Sequence, residues 1–313
     1  MSVRIIKMKS IFLFLVYVMM ASATVMAQDT FEKAFNAGLA NAKGGKYDAA
    51  IADFTTAIKL RDNNPKAYFY RGLSYYATKQ SVEAISDFTA TLKFDINYNE
   101  AYKYRGVLYN NEGSHKKALE DLNVATKMFP NDREAHLNKG IALSNLGELD
   151  AAIIEFDWAI KANSNDTKVF LYKGVALLKS EKFDEAVENL TKSLTLDPNN
   201  ADAFLNRGIS YRMQEKTDYA ISDYSKAILI KPSDPDLYFN RAIAYDMTDN
   251  YQKAIQDYSK SIELNPNDGD AYFNRGISKV HNGNEDDGCI DISTASKMGI
   301  ESADVVREKV CKK

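Results

Sequence analysis

Two short segments, AISDYSKA at Ala220–Ala227 and YFNRG at Tyr272–Gly276, contain the residue order that decides the fold. The glycine that ends the second segment recurs every 34 residues, with one alanine in its place: Gly38, Gly72, Gly106, Gly140, Gly174, Gly208, Ala242 and Gly276. An alanine follows each of the first seven positions by twelve residues, and a bulky side chain follows that alanine by four. This order predicts pairs of helices whose backbones approach closely.

Proline ends several of these intervals, at Pro130, Pro198, Pro232 and Pro266. Because proline lacks an N–H group and cannot continue a helix, it separates one helix pair from the next. One pair alone cannot bury its apolar stripe, whereas stacked pairs bury it against each other. The pattern therefore predicts an all-α solenoid.

These residues resemble the tetratricopeptide repeat family, whose 34-residue unit has the same order of aromatic, glycine, alanine and proline positions. The resemblance covers eight helix-turn-helix repeats that start near residues 31, 65, 99, 133, 167, 201, 235 and 269. It implies an all-α superhelical solenoid over residues 28–302 and a capping element over residues 303–313. The family binds proteins or peptides on a concave face that the first helix of each repeat lines, without catalysis.

The N-terminal residues 1–27 have the three regions of a secretory signal peptide. Arg4, Lys7 and Lys9 precede an uncharged run from Ile11 to Met20, and small residues lead to Ala27. We expect cleavage after Ala27, no membrane insertion afterwards, and a periplasmic, outer-envelope or secreted location. The alternative is a retained membrane anchor, because Val25–Ala27 extends the apolar run. The segment Gly288–Cys311 also resembles the closing element of exported Bacteroidetes-type repeat proteins.

The charge balance argues against nucleic-acid and anionic-membrane partners. The formal net charge is −3, and loss of the three N-terminal cations would make it −6. A mildly acidic exported protein is repelled by phosphate-rich surfaces. We therefore expect a protein or peptide partner, while the oligomeric state stays open.

The two cysteines, Cys289 and Cys311, are equidistant from residue 300. A turn at Met298–Ile300 would place them at the same height in a helical hairpin, so we hypothesise a disulfide bond. In the chain-entropy model, a bond that closes a loop of this size contributes about 3 kcal/mol. Two buried free thiols remain the alternative, because sequence alone does not fix pairing.

A cation precedes most of the recurring glycines, and an acidic residue follows sixteen residues after the cation. We predict structural ion pairs within repeats at Arg71–Asp87, Arg105–Asp121, Arg207–Asp223 and Arg241–Asp257. Arg275 and Asp291 have the same spacing, whereas Lys173 has Asn189 at that position. Each partly exposed pair would contribute about 0–1 kcal/mol and help to fix the register of the helices.

The family resemblance also implies which residues line the peptide-binding groove. One apolar position per repeat carries over as Phe69, Leu137, Leu171, Leu205, Phe239 and Phe273. Beside it, asparagine recurs at Asn138, Asn206, Asn240 and Asn274. An asparagine amide can donate to a peptide carbonyl and accept from a peptide N–H, so this row could hold a peptide backbone. A purely structural role for the asparagines stays open.

Acidic residues recur at Asp202, Asp236 and Asp270. In the groove they would favour a basic or neutral ligand. Their position in the first turns of helices also complements the helix dipole, which is a structural explanation for the same residues.

No metal or cofactor site is expected: the three histidines lack metal-ligand spacing, and the segment Asn282–Gly288 lacks the order of a calcium loop. The repeats use nearly the whole chain, so we expect no enzyme. The alternatives are a structural spacer that uses the convex face and a hydrolase built on the solenoid surface.

Overall fold

The computed structural model describes residue 28, residues 30–162 and residues 165–311. The predicted signal peptide lies outside these residues. The described residues form helices and turns with no β-strand, as the sequence predicts. The chain divides after Ala142 into two compact units, called here the first and the second unit.

The helices alternate as first and second members of each repeat. In the first unit they are α1 (residues 30–43), α2 (Tyr47–Leu60), α3 (Pro65–Ala77), α4 (Ser81–Phe94), α5 (Asn99–Asn111) and α6 (His115–Met128). Helix α7 (Arg133–Asn145) contains the boundary between the units.

In the second unit the helices are α8 (Leu149–Ala162), α9 (Thr167–Lys179), α10 (Phe183–Leu196), α11 (Ala201–Met213), α12 (Thr217–Ile230), α13 (Pro235–Asp246), α14 (Tyr251–Leu264), α15 (Gly269–His281), α16 (Glu285–Lys297) and α17 (Glu301–Val310).

The recurring glycine allows close packing inside a repeat. A Cβ atom placed on Gly208 would lie 2.6 Å from the ring of Tyr224, and one on Gly38 would lie 2.7 Å from the ring of Phe54. Both rings are fully buried. The large side chain therefore fills the space that the missing side chain leaves, as close packing of protein interiors requires.

The helix starts explain the spacing between repeats. Pro65 and Pro235 occupy the first turns of α3 and α13, where no N–H donor is lost from the helix. Asn64, Asn200 and Asp268 accept hydrogen bonds from backbone N–H groups at the starts of α3, α11 and α15. These caps satisfy donors that a helix leaves free, so these three first helices begin at defined residues.

The C-terminal helix α17 packs on α16 and is covalently attached to the last repeat. Ala303 of α17 is fully buried next to Ile292 and Ala295 of α16. Cys289 and Cys311 form a disulfide bond, with their Cα atoms 5.6 Å apart. The terminal helix begins at Glu301, two residues before the cap expected from the sequence.

Candidate peptide-binding groove

Among the residues that the structure describes, five bidentate ion pairs each join the two helices of one repeat. In the pair Arg71–Asp87, Nε and Nη2 of the arginine donate to the two carboxylate oxygens over 2.7 Å. The remaining nitrogen, Nη1, donates to the hydroxyl of Thr55 in the preceding repeat. The same geometry recurs at Arg105–Asp121, Arg207–Asp223, Arg241–Asp257 and Arg275–Asp291. Each arginine therefore links three helices, which assigns these residues to the scaffold.

The fifth repeat uses an acid on the other side of its cation. Lys173 Nζ lies 2.6 Å from Asp157, sixteen residues before it, whereas Asn189 donates to the carbonyl of Glu185. Asp157 occupies the position that a hydroxyl residue has in the arginine repeats. The spacing rule from the sequence pairs each cation with an acid sixteen residues after it. It therefore does not predict the pair Lys173–Asp157, in which the acid comes sixteen residues before the cation.

The carboxylates of this ladder differ in their titration. Burial raises the pKa of Asp87 even though Arg71 donates two hydrogen bonds to it. Burial also acts on Asp291, but hydrogen bonds from Arg275 and Lys279 outweigh it and lower the pKa of Asp291. The second cation, with Lys279 Nζ 2.8 Å from Asp291, accounts for the difference.

In the second unit, successive first helices contact each other: α9 contacts α11, α11 contacts α13, and α13 contacts α15. Successive second helices do not contact each other to this extent. The first helices therefore line the inner, more tightly curved side. The face turned away from the second helices contains two adjacent stripes of side chains at helical spacing. On α11, one stripe consists of Asp202, Asn206, Ile209 and Met213, and the other consists of Leu205 and Arg212. We call this face the groove.

The predicted asparagine row lies in this groove. The side-chain nitrogens of Asn206, Asn240 and Asn274 donate to backbone carbonyls four residues earlier, over 2.7, 2.9 and 2.9 Å. These bonds fix the orientation of the amides. No hydrogen bond to Oδ1 is formed by the described residues, so each amide oxygen can still accept from a ligand N–H. Asn138 in the first unit makes the same bond to Glu134.

The apolar groove positions divide into two groups. Leu171, Leu205, Phe239 and Phe273 are partly exposed beside the asparagines. Phe69 and Leu137 are each only 6% exposed, so their prediction as ligand contacts is wrong. The ring of Phe69 packs 4.6 Å from that of Tyr98 and also contacts Phe88 and Tyr104. Tyr98 at the end of the second repeat and Tyr104 of the third repeat cover this ring, and the recurring positions of the repeat do not predict that cover.

Acidic side chains line the start of the groove helices. Asp202 forms an ion pair with Lys231 over 2.7 Å, whereas no ion pair involving Asp236 or Asp270 occurs within the described residues. Burial, followed by the neighbouring carboxylates of Asp234 and Asp268, raises the pKa of Asp236. This part of the groove repels anions.

Sequence reasoning did not connect two groove residues, Arg212 and Asp246. They occupy the same position in successive repeats, at the C-terminal ends of α11 and α13. The sequence contains a signal for these two residues, because the equivalent position is apolar in the fifth and eighth repeats, at Leu178 and Val280. The third and fourth repeats have Asn110 and Ser144 there, so Arg212 and Asp246 alone carry a charge at this position.

Comparison with protein-family models gives repeat matches along both units. Models described as "Tetratricopeptide repeat" match residues 105–167, 201–234, 235–268 and 258–289, and a model described as "TPR repeat" matches residues 38–79 and 174–215. The chain belongs to the tetratricopeptide repeat family. Members of this family bind proteins or peptides, so the fold and the class of partner agree with the groove described above.

Solved structures of tetratricopeptide repeat proteins are similar to this chain. A tetratricopeptide repeat protein from Parabacteroides merdae has a TM-score of 0.60 and 17% identity over 79% of this chain and 99% of its own. YrrB, described as a TPR protein with an unusual peptide-binding site, has a TM-score of 0.50 and 25% identity over 57% and 92%. MamA from Desulfovibrio magneticus RS-1 has a TM-score of 0.51 and 26% identity over 54% and 95%. No curated protein matches the sequence.

Within residues 30–162 and 165–311, no three histidine, cysteine, aspartate or glutamate side chains are grouped so that they could hold a metal ion. None of the described helices combines the length and the apolar character that crossing a membrane requires.

Proposed function

We propose that the protein is a non-catalytic interaction scaffold of the cell envelope that binds a peptide or protein segment in the groove of its second unit. The observation that carries the proposal is the row of oriented amides at Asn206, Asn240 and Asn274. Their free oxygens would accept from backbone N–H groups of an extended segment, while Leu205, Phe239 and Phe273 would contact its side chains.

The rigidity of the row favours binding. The intrahelical hydrogen bond already fixes each amide, so a ligand would not have to order it. The similar protein YrrB is described as having a peptide-binding site, which supports the same class of ligand here. In the described repeats, the interior polar residues are used for helix contacts, and we propose no catalytic role for them.

The location in the envelope rests on the N-terminal sequence. The arrangement of cations, apolar run and small residues before Gln28 supports export with cleavage after Ala27. A disulfide bond between Cys289 and Cys311 is typical of an oxidising compartment. Mass spectrometry of the native protein should find Gln28 as the first residue. A mature protein that retains residues 1–27 would overturn export by cleavage.

Crosslinking and affinity capture from envelope fractions would test the groove. The variant Asn206→Ala with Asn240→Ala removes two amides, and the matched control Asn199→Ala with Asn267→Ala changes two exposed asparagines in turns between repeats. We expect the groove variant to lose the partner captured by the wild type and by the control. Equal capture by all three proteins would contradict binding through the asparagines and favour a spacer that uses its convex face.

A further inference from the structure

Arg212 and Asp246 place opposite charges side by side in the groove. Arg212 lies seven residues after Leu205 on α11, and Asp246 lies seven residues after Phe239 on α13, so both continue the apolar stripe of their helix. Helices α11 and α13 contact each other. Among the described residues, no ion pair joins either charge to an opposite one.

Neighbouring repeats hold the Asp246 carboxylate in place. Tyr258 from α14 donates its hydroxyl to Oδ2 over 2.9 Å, and Ser278 from α15 donates to Oδ1 over 2.8 Å. Burial raises the pKa of Asp246 in spite of these bonds. Among the described residues, His281 acts on this carboxylate through its charge but forms no ion pair with it. A half-buried carboxylate that is oriented by hydroxyls and has no ion-pair partner is prepared to accept a cation.

The Arg212 guanidinium is the complementary group. Its Nε atom is buried and has no hydrogen-bond partner among the described residues, and the same is true of the Tyr224 hydroxyl. The two groups are neighbours, because contact with the Arg212 guanidinium lowers the pKa of the Tyr224 hydroxyl although no well-formed hydrogen bond joins them. Burial nevertheless raises the pKa of Tyr224 to about 12, so the hydroxyl keeps its proton and can donate it in a hydrogen bond. Buried donors without partners are rare in folded proteins and call for an explanation.

We propose that Arg212 and Asp246 determine the specificity of the groove for a peptide with two opposite charges. Arg212 binds an acidic side chain of the peptide, and Asp246 binds a basic one. This inference rests on peptide binding in the groove. Neighbouring first helices lie roughly 10 Å apart, and an extended peptide advances about 3.3 Å per residue, so the two ligand residues should be about three positions apart.

A carboxylate fits Arg212 better than a phosphate does. A planar guanidinium binds a carboxylate through two parallel hydrogen bonds, and a single arginine suffices. Asp246, at the same position of the next first helix, disfavours a ligand with two negative charges beside Arg212. The ligand is therefore a peptide segment of mixed charge.

Selection from a phage-displayed library of random dodecapeptides tests the proposal without a known ligand. The library is applied to the wild type, to Arg212→Gln, to Asp246→Asn and to the control Lys226→Gln, which removes an exposed cation of α12 outside the groove. Circular dichroism and thermal unfolding establish that each variant is folded. If Arg212→Gln fails this check, Arg212→Lys takes its place, because lysine keeps the charge and loses the bidentate geometry.

We expect peptides from the wild type and from Lys226→Gln to be enriched in an acidic and a basic residue about three positions apart. Selection on Arg212→Gln should lose the acid and keep the base, and selection on Asp246→Asn should do the reverse. Two outcomes would overturn recognition of the charge pair and leave peptide binding in the groove intact. In the first, the selected peptides lack this charge pair. In the second, all four proteins select the same pair. If none of the proteins selects peptides, peptide binding itself is overturned.

A double-mutant cycle on one selected peptide then measures the contact directly. Fluorescence anisotropy should show that Arg212→Gln weakens binding about tenfold to hundredfold, and that replacing the peptide acid by its amide has the same effect. Because both changes remove one interaction, the two together should weaken binding no more than either alone. Effects that multiply would show that Arg212 does not contact the acid.

Discussion

At the scale of single residues, burial separates groups that look alike in the sequence. Asp291 is buried and Asp246 is half-buried, and both belong to the second unit. Asp291 receives hydrogen bonds from Arg275 and Lys279, whereas Asp246 receives them from the hydroxyls of Tyr258 and Ser278 only. The first environment lowers the pKa of the carboxyl, and the second, dominated by burial, raises it.

These opposite shifts predict opposite dependences of stability on pH. A raised pKa in the folded state means that the fold favours the protonated form of Asp246. This form adds stability below the ordinary pKa of about 3.9, and the contribution is lost as the pH rises through the folded pKa. Asp246→Asn should therefore unfold at higher urea concentration than the wild type at pH 7, with the difference shrinking towards pH 3. Asp291→Asn is the control and should be less stable than the wild type at pH 7. A destabilised Asp246→Asn at pH 7 would contradict this assignment.

The ion-pair ladder gives a second prediction at this scale. In the pair Arg207–Asp223 the side chains are 14% and 4% exposed, so removal of the acid leaves a poorly solvated guanidinium. We expect Asp223→Asn to lower the free energy of unfolding by about 3 kcal/mol. Lys231→Ala, which breaks the exposed pair with Asp202, should cost less than about 1 kcal/mol. Equal losses in urea unfolding would show that the buried pair has no special structural role.

At the scale of the elements, each turn inside a repeat needs one residue with positive φ. This residue is Gly45, Gly113, Gly147 or Gly283 in four repeats, and Lys79, Glu181, Glu215 or Asp249 in the other four. The spacing of these eight residues is again 34, so the same turn is built with and without glycine. A residue with a side chain is strained in this conformation.

Replacement of one such residue should stabilise the protein. Glu215 has φ of 59°, and Glu215→Gly relieves strain that exceeds the added flexibility of the unfolded chain. We expect a gain of up to about 1 kcal/mol in the free energy of unfolding. The control is Glu215→Ala, which removes the same carboxylate but keeps a Cβ atom in the left-handed conformation, so it should not stabilise the protein. A loss of stability in Glu215→Gly would mean that its side chain makes a contact worth more than the strain.

The disulfide bond governs the last element. It closes a separation of 22 residues between α16 and the end of α17. Cys311→Ser should lower the free energy of unfolding by about 3 kcal/mol and raise amide hydrogen exchange mainly in α17. Thiol titration of unreduced, denatured wild type should find no free thiol, and two titratable thiols would exclude the bond.

At the scale of the whole molecule, the 34-residue spacing predicts what repeats identically, and the structure adds what depends on neighbours. Gly208, Tyr224 and the Arg207–Asp223 pair follow from one repeat alone. The burial of Phe69 depends on Tyr104 of the next repeat, and the partner of Lys173 lies in the previous one. The unpartnered Nε of Arg212 depends on packing that no periodic pattern encodes. Recognition is proposed where the repeats differ from one another.

The most direct test of the central claim is photocrosslinking from single positions in envelope fractions. A photoreactive residue replaces Met213, which is 50% exposed on the groove face of α11, or Tyr219, which is 64% exposed on α12. If a partner segment binds in the groove, a specific adduct forms from position 213 and not from position 219. This adduct should disappear when Asn206→Ala and Asn240→Ala are added. A specific adduct from position 219 alone would contradict the groove and place the partner on the second helices.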